Sequence, residues 1–346
     1  MARAETPDRS RLVAIWLFVT AAVVFGLVVV GGATRLTGSG LSITEWKPIM
    51  GVVPPLSDAG WASEFQKYRA TTQYRYVNQG MSLAAFQSIY WWEWTHRLLG
   101  RLVGVVFAGP LLAFLALRRI PERLVVRCFI LLGLGGLQGL VGWWMVESGL
   151  EGRVAVAPER LAAHLGLALL LYAALIWTGL EAIYGPARPT RHGRASFWRW
   201  ATPLLAVLVY VQCLLGALVA GDQAGLVDND WPLMNGRIFP VDYWIGGTWQ
   251  SLLHSQAAVQ FNHRLMGYTV AVIALALAVA AGRAREASNG LRLLAFGVAA
   301  LVVAQASLGV MTLMARAPLP LSQLHQALAA VVLSAAVALA WRGRRA

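Results

Sequence analysis

The sequence predicts an all-α integral membrane protein of eight transmembrane helices, arranged as two pseudo-symmetric four-helix bundles. Three observations carry this. Of the 346 residues 58% are hydrophobic and only 13% are charged, about half the charge of a soluble domain. Eight apolar stretches are each long enough, at about 20 residues, to cross the hydrocarbon core of a bilayer. The second half of the chain also repeats histidine-bearing segments of the first. This composition excludes a soluble globular enzyme, a disordered chain and a nucleic-acid binder. The formal net charge of +13 sits in short basic clusters between apolar runs, which in a membrane protein orient the spans.

In chain order the spans fall at 12–32, 94–117, 127–146, 161–181, 200–221, 262–282, 293–315 and 319–341. The first follows Arg3, Arg9 and Arg11 and is free of charge from Leu12 to Thr34. That is too long for the apolar core of a signal peptide, so it reads as a retained helix. An even number of spans returns both termini to one side. That side holds 17 of the 29 Lys and Arg residues: three before span 1, four at 118–127, four at 188–199, three at 283–292 and three at 342–345. The longer loops, at 33–93, 147–160 and 222–261, carry most of the acids. The positive-inside rule therefore predicts cytoplasmic termini and external long loops, and a bacterial inner membrane fits. Cys128 and Cys213 both lie in apolar runs, outside any CxxC or CxxCH motif, and read as small buried hydrophobes.

The repeat is explicit. His96-Arg97-Leu98-Leu99-Gly100 returns 167 positions later as His263-Arg264-Leu265-Met266-Gly267, and the same offset carries Gln138 to Gln305 and Gly142 to Gly309. His164 matches His325 at an offset of 161, and the loop Trp46–Gly51 is echoed by Trp231–Gly236. Residues 1–190 and 191–346 are thus expected to be two bundles of the same orientation, related by an axis along the membrane normal.

Of six histidines, His192 and His254 lie in polar loops and read as solvated. His96, His164, His263 and His325 stand in the first few residues of the even-numbered spans, at the external end, where an ionisable group points to function. Four at repeat-equivalent positions make two facing pairs. Zinc or copper would ask for a third or fourth ligand, and no Cys, Asp or Glu cluster accompanies all four. A haem needs two axial ligands, and bundle cores commonly house such cofactors. Gly100, Gly104 and Gly267 beside the histidines would let a flat macrocycle approach, though glycines also serve helix packing in membranes. Arg97, Arg101 and Arg264 at the rim are placed to pair propionates, or else to snorkel. The halves differ in the length of the external loop, about 60 residues against about 40, and beside the first histidine. Glu93 stands one turn before His96, whereas the position 167 later is Gln260, which suggests one site for chemistry and one for an electron-handling cofactor. Glu93 as a helix cap, or as a partner for Arg97, is the plainer alternative.

The segment Gly31-Gly32-Ala33-Thr34-Arg35-Leu36-Thr37-Gly38-Ser39-Gly40-Leu41-Ser42, with Glu45-Trp46-Lys47-Pro48 and Glu64-Phe65-Gln66-Lys67-Tyr68, closely resembles the first external loop of the haem A synthase family. Trp91-Trp92-Glu93-Trp94-Thr95-His96-Arg97 resembles that family's Glu-x-x-His segment. The resemblance covers essentially the whole chain, within the subgroup that lacks a cysteine pair in the external loops. It implies oxidation of the C8 methyl of haem O to a formyl group by two successive hydroxylations, through a hydroxymethyl intermediate. It further implies that His96 and His164 hold the substrate haem, with Glu93 beside it and Arg97 at its rim, and that His263 and His325 ligate a resident haem b. Haem O synthase is the implied partner and membrane lipid the surroundings; no nucleic acid is involved. Two other classes fit the histidine pairs alone: a di-haem b-type cytochrome that only moves electrons, and a haem carrier. Bis-histidine ligation leaves no open iron position, which favours electron transfer, and a carrier would need no Glu93 asymmetry.

Overall fold

In lipid a single segment satisfies its backbone groups only as a helix. The computed structural model describes residues 7–186 and 195–345, and among them eight helices are long and apolar enough to span a membrane. In the first half these are α1 (Pro7–Leu36), α4 (Leu83–Ala116), α5 (Glu122–Leu150) and α6 (Pro158–Tyr184), with two short helices, α2 (Asp58–Arg69) and α3 (Thr72–Tyr76), in the first long loop. The second half has α7 (Ala195–Gly221), the short α8 (Thr248–His254), then α9 (Gln256–Arg283), α10 (Asn289–Met314) and α11 (Leu319–Gly343). Arg3, Arg188, Arg191, Arg194, His192 and the expected 190/191 boundary lie outside the described residues.

Each half closes into a ring. α1 packs on α4 and α6, and α5 on the same two; α7 packs on α9 and α11, and α10 on the same two. The rings meet where α6 packs on α7 and α11, and α1 on α11. Exchanging α1 with α7 and α6 with α11 maps this interface onto itself, as the sequence repeat demands. The apolar core runs through both rings, with Leu17, Leu111, Leu124, Leu175, Leu205, Leu291 and Leu333 almost wholly buried. Cys128 is buried in that core and Cys213 packs against it, both as free thiols.

The helices start further out than hydropathy indicates. α4 begins at Leu83 rather than 94, so His96 lies beyond three helical turns instead of in the first few residues. The outer turns of α4 are too polar to register as a span. They are held by Ser82, whose Oγ accepts from the Ala85 N–H at 3.2 Å, and by an aromatic cluster from the loop. Phe86 stacks on Phe65 and Tyr68 with centroids 5.0 and 5.3 Å apart, and Trp61 meets Tyr90 edge-on at 5.0 Å. The long first loop is therefore a folded cap on α4 with its own small core.

Candidate functional site

The four histidines come together as two pairs near the end of the bundles that carries the long loops. The His96 and His164 ring centroids are 6.5 Å apart at an interplanar angle of 68°, and those of His263 and His325 are 6.4 Å apart at 82°. An imidazole nitrogen lies roughly 1.1 Å from its ring centre and a metal–imidazole bond is about 2.0–2.1 Å long. A metal held between two imidazoles therefore sets their centroids about 6.3 Å apart, which both pairs match. Among the described residues no group of three or more His, Cys, Asp or Glu side chains could hold a bare metal ion. The donor set is two imidazoles per site, which suits a haem with four equatorial nitrogens of its own.

Glycine sets the depth of each ring. A Cβ placed on Gly31, Gly142 or Gly309 would lie 2.8 Å from the Cε1 of His96, His164 or His325, and one on Gly216 would lie 3.1 Å from the Cε1 of His263. Every imidazole thus lies against the bare backbone of the span before it. Sequence comparison alone aligned Gly142 with Gly309; Gly31 and Gly216 were missed because α1 and α7 carry no histidine to mark the register. Gly100 and Gly104 face open space, where a Cβ meets nothing within 4 Å, while Gly267 approaches the Gln212 amide.

The rim residues are engaged by loops. Glu93 is 3% exposed. Its Oε2 accepts from Ser42 Oγ and the Ile43 N–H, both at 2.8 Å, and its Oε1 from Arg97 Nε at 3.0 Å and Nη2 at 2.6 Å. Arg97 also donates to the carbonyls of Glu45 and Ile43. The second half repeats the device with a neutral amide. Gln260 Oε1 accepts from Arg264 Nη2 at 2.6 Å, its Nε2 donates to the carbonyls of Ala224 and Val227, both at 2.6 Å, and Arg264 reaches those of Asp228 and Leu233. Arg101 grips the carbonyls of Lys47 and Pro48. The echoing loops are thus both clasped by arginines that follow a site histidine. Arg101 Nη1 and Arg264 Nε remain buried without a partner, leaving a donor at each rim for an acidic group.

Further along the loop, Lys67 Nζ bridges Glu45 at 2.6 Å and Glu64 at 2.7 Å. These carboxylates push the Lys67 ammonium up to about 12, and Lys47 with Lys67 holds the Glu45 carboxyl below its ordinary value. His254 is not free in its loop: its two nitrogens lie 4.0 Å from Glu159 and 3.9 Å from Asp222, where the halves meet.

Two pseudo-symmetric bundles, each presenting one histidine pair under an arginine-clasped loop, define a multi-pass membrane protein with a paired-histidine site in each half. Heme A synthase of Caulobacter sp. strain K31 is 58% identical over 338 residues, and that of Caulobacter vibrioides 59% over 339, each alignment covering 98% of both chains. Heme A synthase of Maricaulis maris is 47% identical over 344 residues, 99% of both. The chain belongs to the COX15-CtaA family of cytochrome oxidase assembly proteins, whose profile matches residues 14–337.

Proposed function

We propose that this chain is an oxidoreductase that converts haem O to haem A, oxidising the C8 methyl to a formyl group in two hydroxylations through a hydroxymethyl intermediate. The observation that carries the reading is the pair of histidine couples at metal-bridging separation, one per half, in a chain of this family. In it residues 1–190 form the substrate unit, with His96 and His164 as the two faces that hold haem O. Residues 191–346 form the cofactor unit, where His263 and His325 hold a resident haem b. The resident haem supplies one-electron transfer when bound.

The assignment of roles rests on the polar difference at the position one turn before the first histidine of each pair. Glu93 brings a carboxylate within a turn of His96, where Gln260 brings an amide within a turn of His263. Through Ser42, Ile43 and Arg97 it fixes the loop over the first pair, which orients the substrate edge and limits water. With Arg97 it keeps a charge pair at the rim of the ring that is oxidised. Arg97 and Arg101 would pair the propionates of the bound substrate, Arg101 through the Nη1 that has no partner. The reading puts the apolar spans in a bacterial inner membrane with both termini cytoplasmic, which the basic clusters at 118–127 and 283–292 support. Haem O is then received from haem O synthase within the lipid phase.

Incubating the purified protein with haem O under turnover conditions and analysing the extracted haems tests this. Haem A, with a hydroxymethyl porphyrin appearing first, is expected. Recovery of unchanged haem O from a protein that still carries both haems and exchanges electrons would make it a di-haem cytochrome instead.

A further inference from the structure

Three of the four histidines are held by one repeated side-chain device, and the fourth lacks it. One helical turn before Gly142, Gly216 and Gly309, on the same helix face, stand Gln138, Gln212 and Gln305. The Nε2 of each donates to the main-chain carbonyl of the histidine opposite: Gln138 to His164 at 3.0 Å, Gln212 to His263 at 3.0 Å and Gln305 to His325 at 2.9 Å. The clamp therefore holds the turn that carries the ligand, fixing its height and rotation against the neighbouring span. At the fourth place, one turn before Gly31, stands Leu27, whose side chain has no donor to give, so that only its main chain meets the His96 imidazole, as the main chains of Gln212 and Gln305 also meet His263 and His325. α1 reaches α4 by Thr34 Oγ1 to the Trp92 carbonyl at 3.3 Å, one turn outward of His96, and by Trp16 Nε1 to the Val106 carbonyl at 3.0 Å, well inward.

We propose that His96 is the exchangeable axial ligand, the one that lets go of and retakes the substrate iron, while His164, His263 and His325 stay clamped. The inference rests on the first half being the substrate site. A substrate is loaded and released at every turnover and a resident cofactor is not. One releasable ligand in the first site and none in the second is the arrangement these two roles ask for. The step is ligand exchange alone: the His96 nitrogen–iron bond breaks and re-forms, and nothing is oxidised or reduced.

Carbon monoxide reports a ferrous haem that can free an axial position. In the reduced full-length protein carrying both haems, the first-site haem is expected to bind CO and the second not. Leu27→Gln installs the missing clamp and should lower CO binding at the first site by a factor of about three to ten, the equilibrium worth of one buried hydrogen bond, with haem content unchanged. Gln212→Leu, at the pseudo-equivalent position of α7, should make the second site CO-reactive, and it serves even if Leu27→Gln fails to fold. A readout that needs no haem is amide exchange: the α4 turn at His96 should exchange faster than the α9 turn at His263, and Leu27→Gln should slow it. Unchanged CO binding in both variants, or equal protection of the two turns, overturns the proposal. If reactivity follows residues 27 and 212 but haem O is never converted, the ligand asymmetry stands and the enzymatic reading falls.

Discussion

Exchanging the buried residues one turn before the first histidine of each pair is the sharpest perturbation the structure offers. Glu93 and Gln260 are near-isosteric, yet their loops present opposite hydrogen-bonding faces. Around Glu93 the loop presents donors, Ser42 Oγ and the Ile43 N–H. Around Gln260 it presents acceptors, the carbonyls of Ala224 and Val227. In Gln260→Glu an oxygen replaces the Nε2 that serves both carbonyls, so two buried acceptors lose their donor and face a third oxygen. Each unsatisfied buried group costs about 1–3 kcal/mol, and Arg264, already 2.6 Å from the other side-chain oxygen, offsets part of the buried charge. The net cost is about 2–4 kcal/mol, which at 1.4 kcal/mol per tenfold weakens haem retention in the second half roughly 30-fold or more. Protonating the new carboxyl restores one donor. The defect should therefore be smaller at low pH than at high pH. Haem content and the thermal midpoint of the purified variant, measured between pH 5 and 8, test this. Wild-type haem content and stability across that range would refute the claim that the two loops differ in polarity. Glu93→Gln should likewise release the first loop, because its amide nitrogen must face either Ser42 and Ile43 or Arg97, and haem A formation should drop on the order of 10²-fold or more while second-site haem is kept.

His263→Ala or His325→Ala should each reduce second-site haem from near one per chain to near zero in the pyridine haemochrome assay, leaving the first site loadable. Gly309→Ala drives a methyl to 2.8 Å from His325 Cε1, an overpacking of about 1–3 kcal/mol, and should weaken haem retention about tenfold. Gly297→Ala on the same helix, where a Cβ meets nothing within 4 Å, should be neutral. The Glu45–Lys67–Glu64 bridge is partly exposed and worth about 0.2–1 kcal/mol per pair. Its Glu45 contribution is present above the ordinary carboxylate range and lost as pH falls through the depressed value. Its Lys67 contribution is complete below 10.5 and lost as pH rises toward about 12. Limited proteolysis of the first loop should therefore be slowest at neutral to mildly alkaline pH, and Lys67→Met should remove that dependence. Cysteine at Ile238, 84% exposed in the second long loop, should react with an impermeant reagent from outside whole cells; labelling from the cytoplasmic side alone would invert the topology.

The sequence by itself determined the eight spans, the duplication and the four histidines. Those rest on local properties, namely apolar length, charge clusters and a repeat that keeps its register within each helix. It also showed that the halves diverge at Glu93 and Gln260. Only the tertiary structure decided what that difference does, because the partners of both residues come from loops up to about 50 positions away, and a loop's donors and acceptors carry no periodic signal. The same holds for the outer turns of α4, which hydropathy ends at 94 because their stability comes from Phe65 and Tyr68 rather than from lipid. The glycine against each imidazole, and the glutamine one turn before three of them, became visible once α1 was seen against α4 and α7 against α9. In the sequence those pairs are separated by loops of unequal length, which hides the correspondence of Leu27 with Gln212.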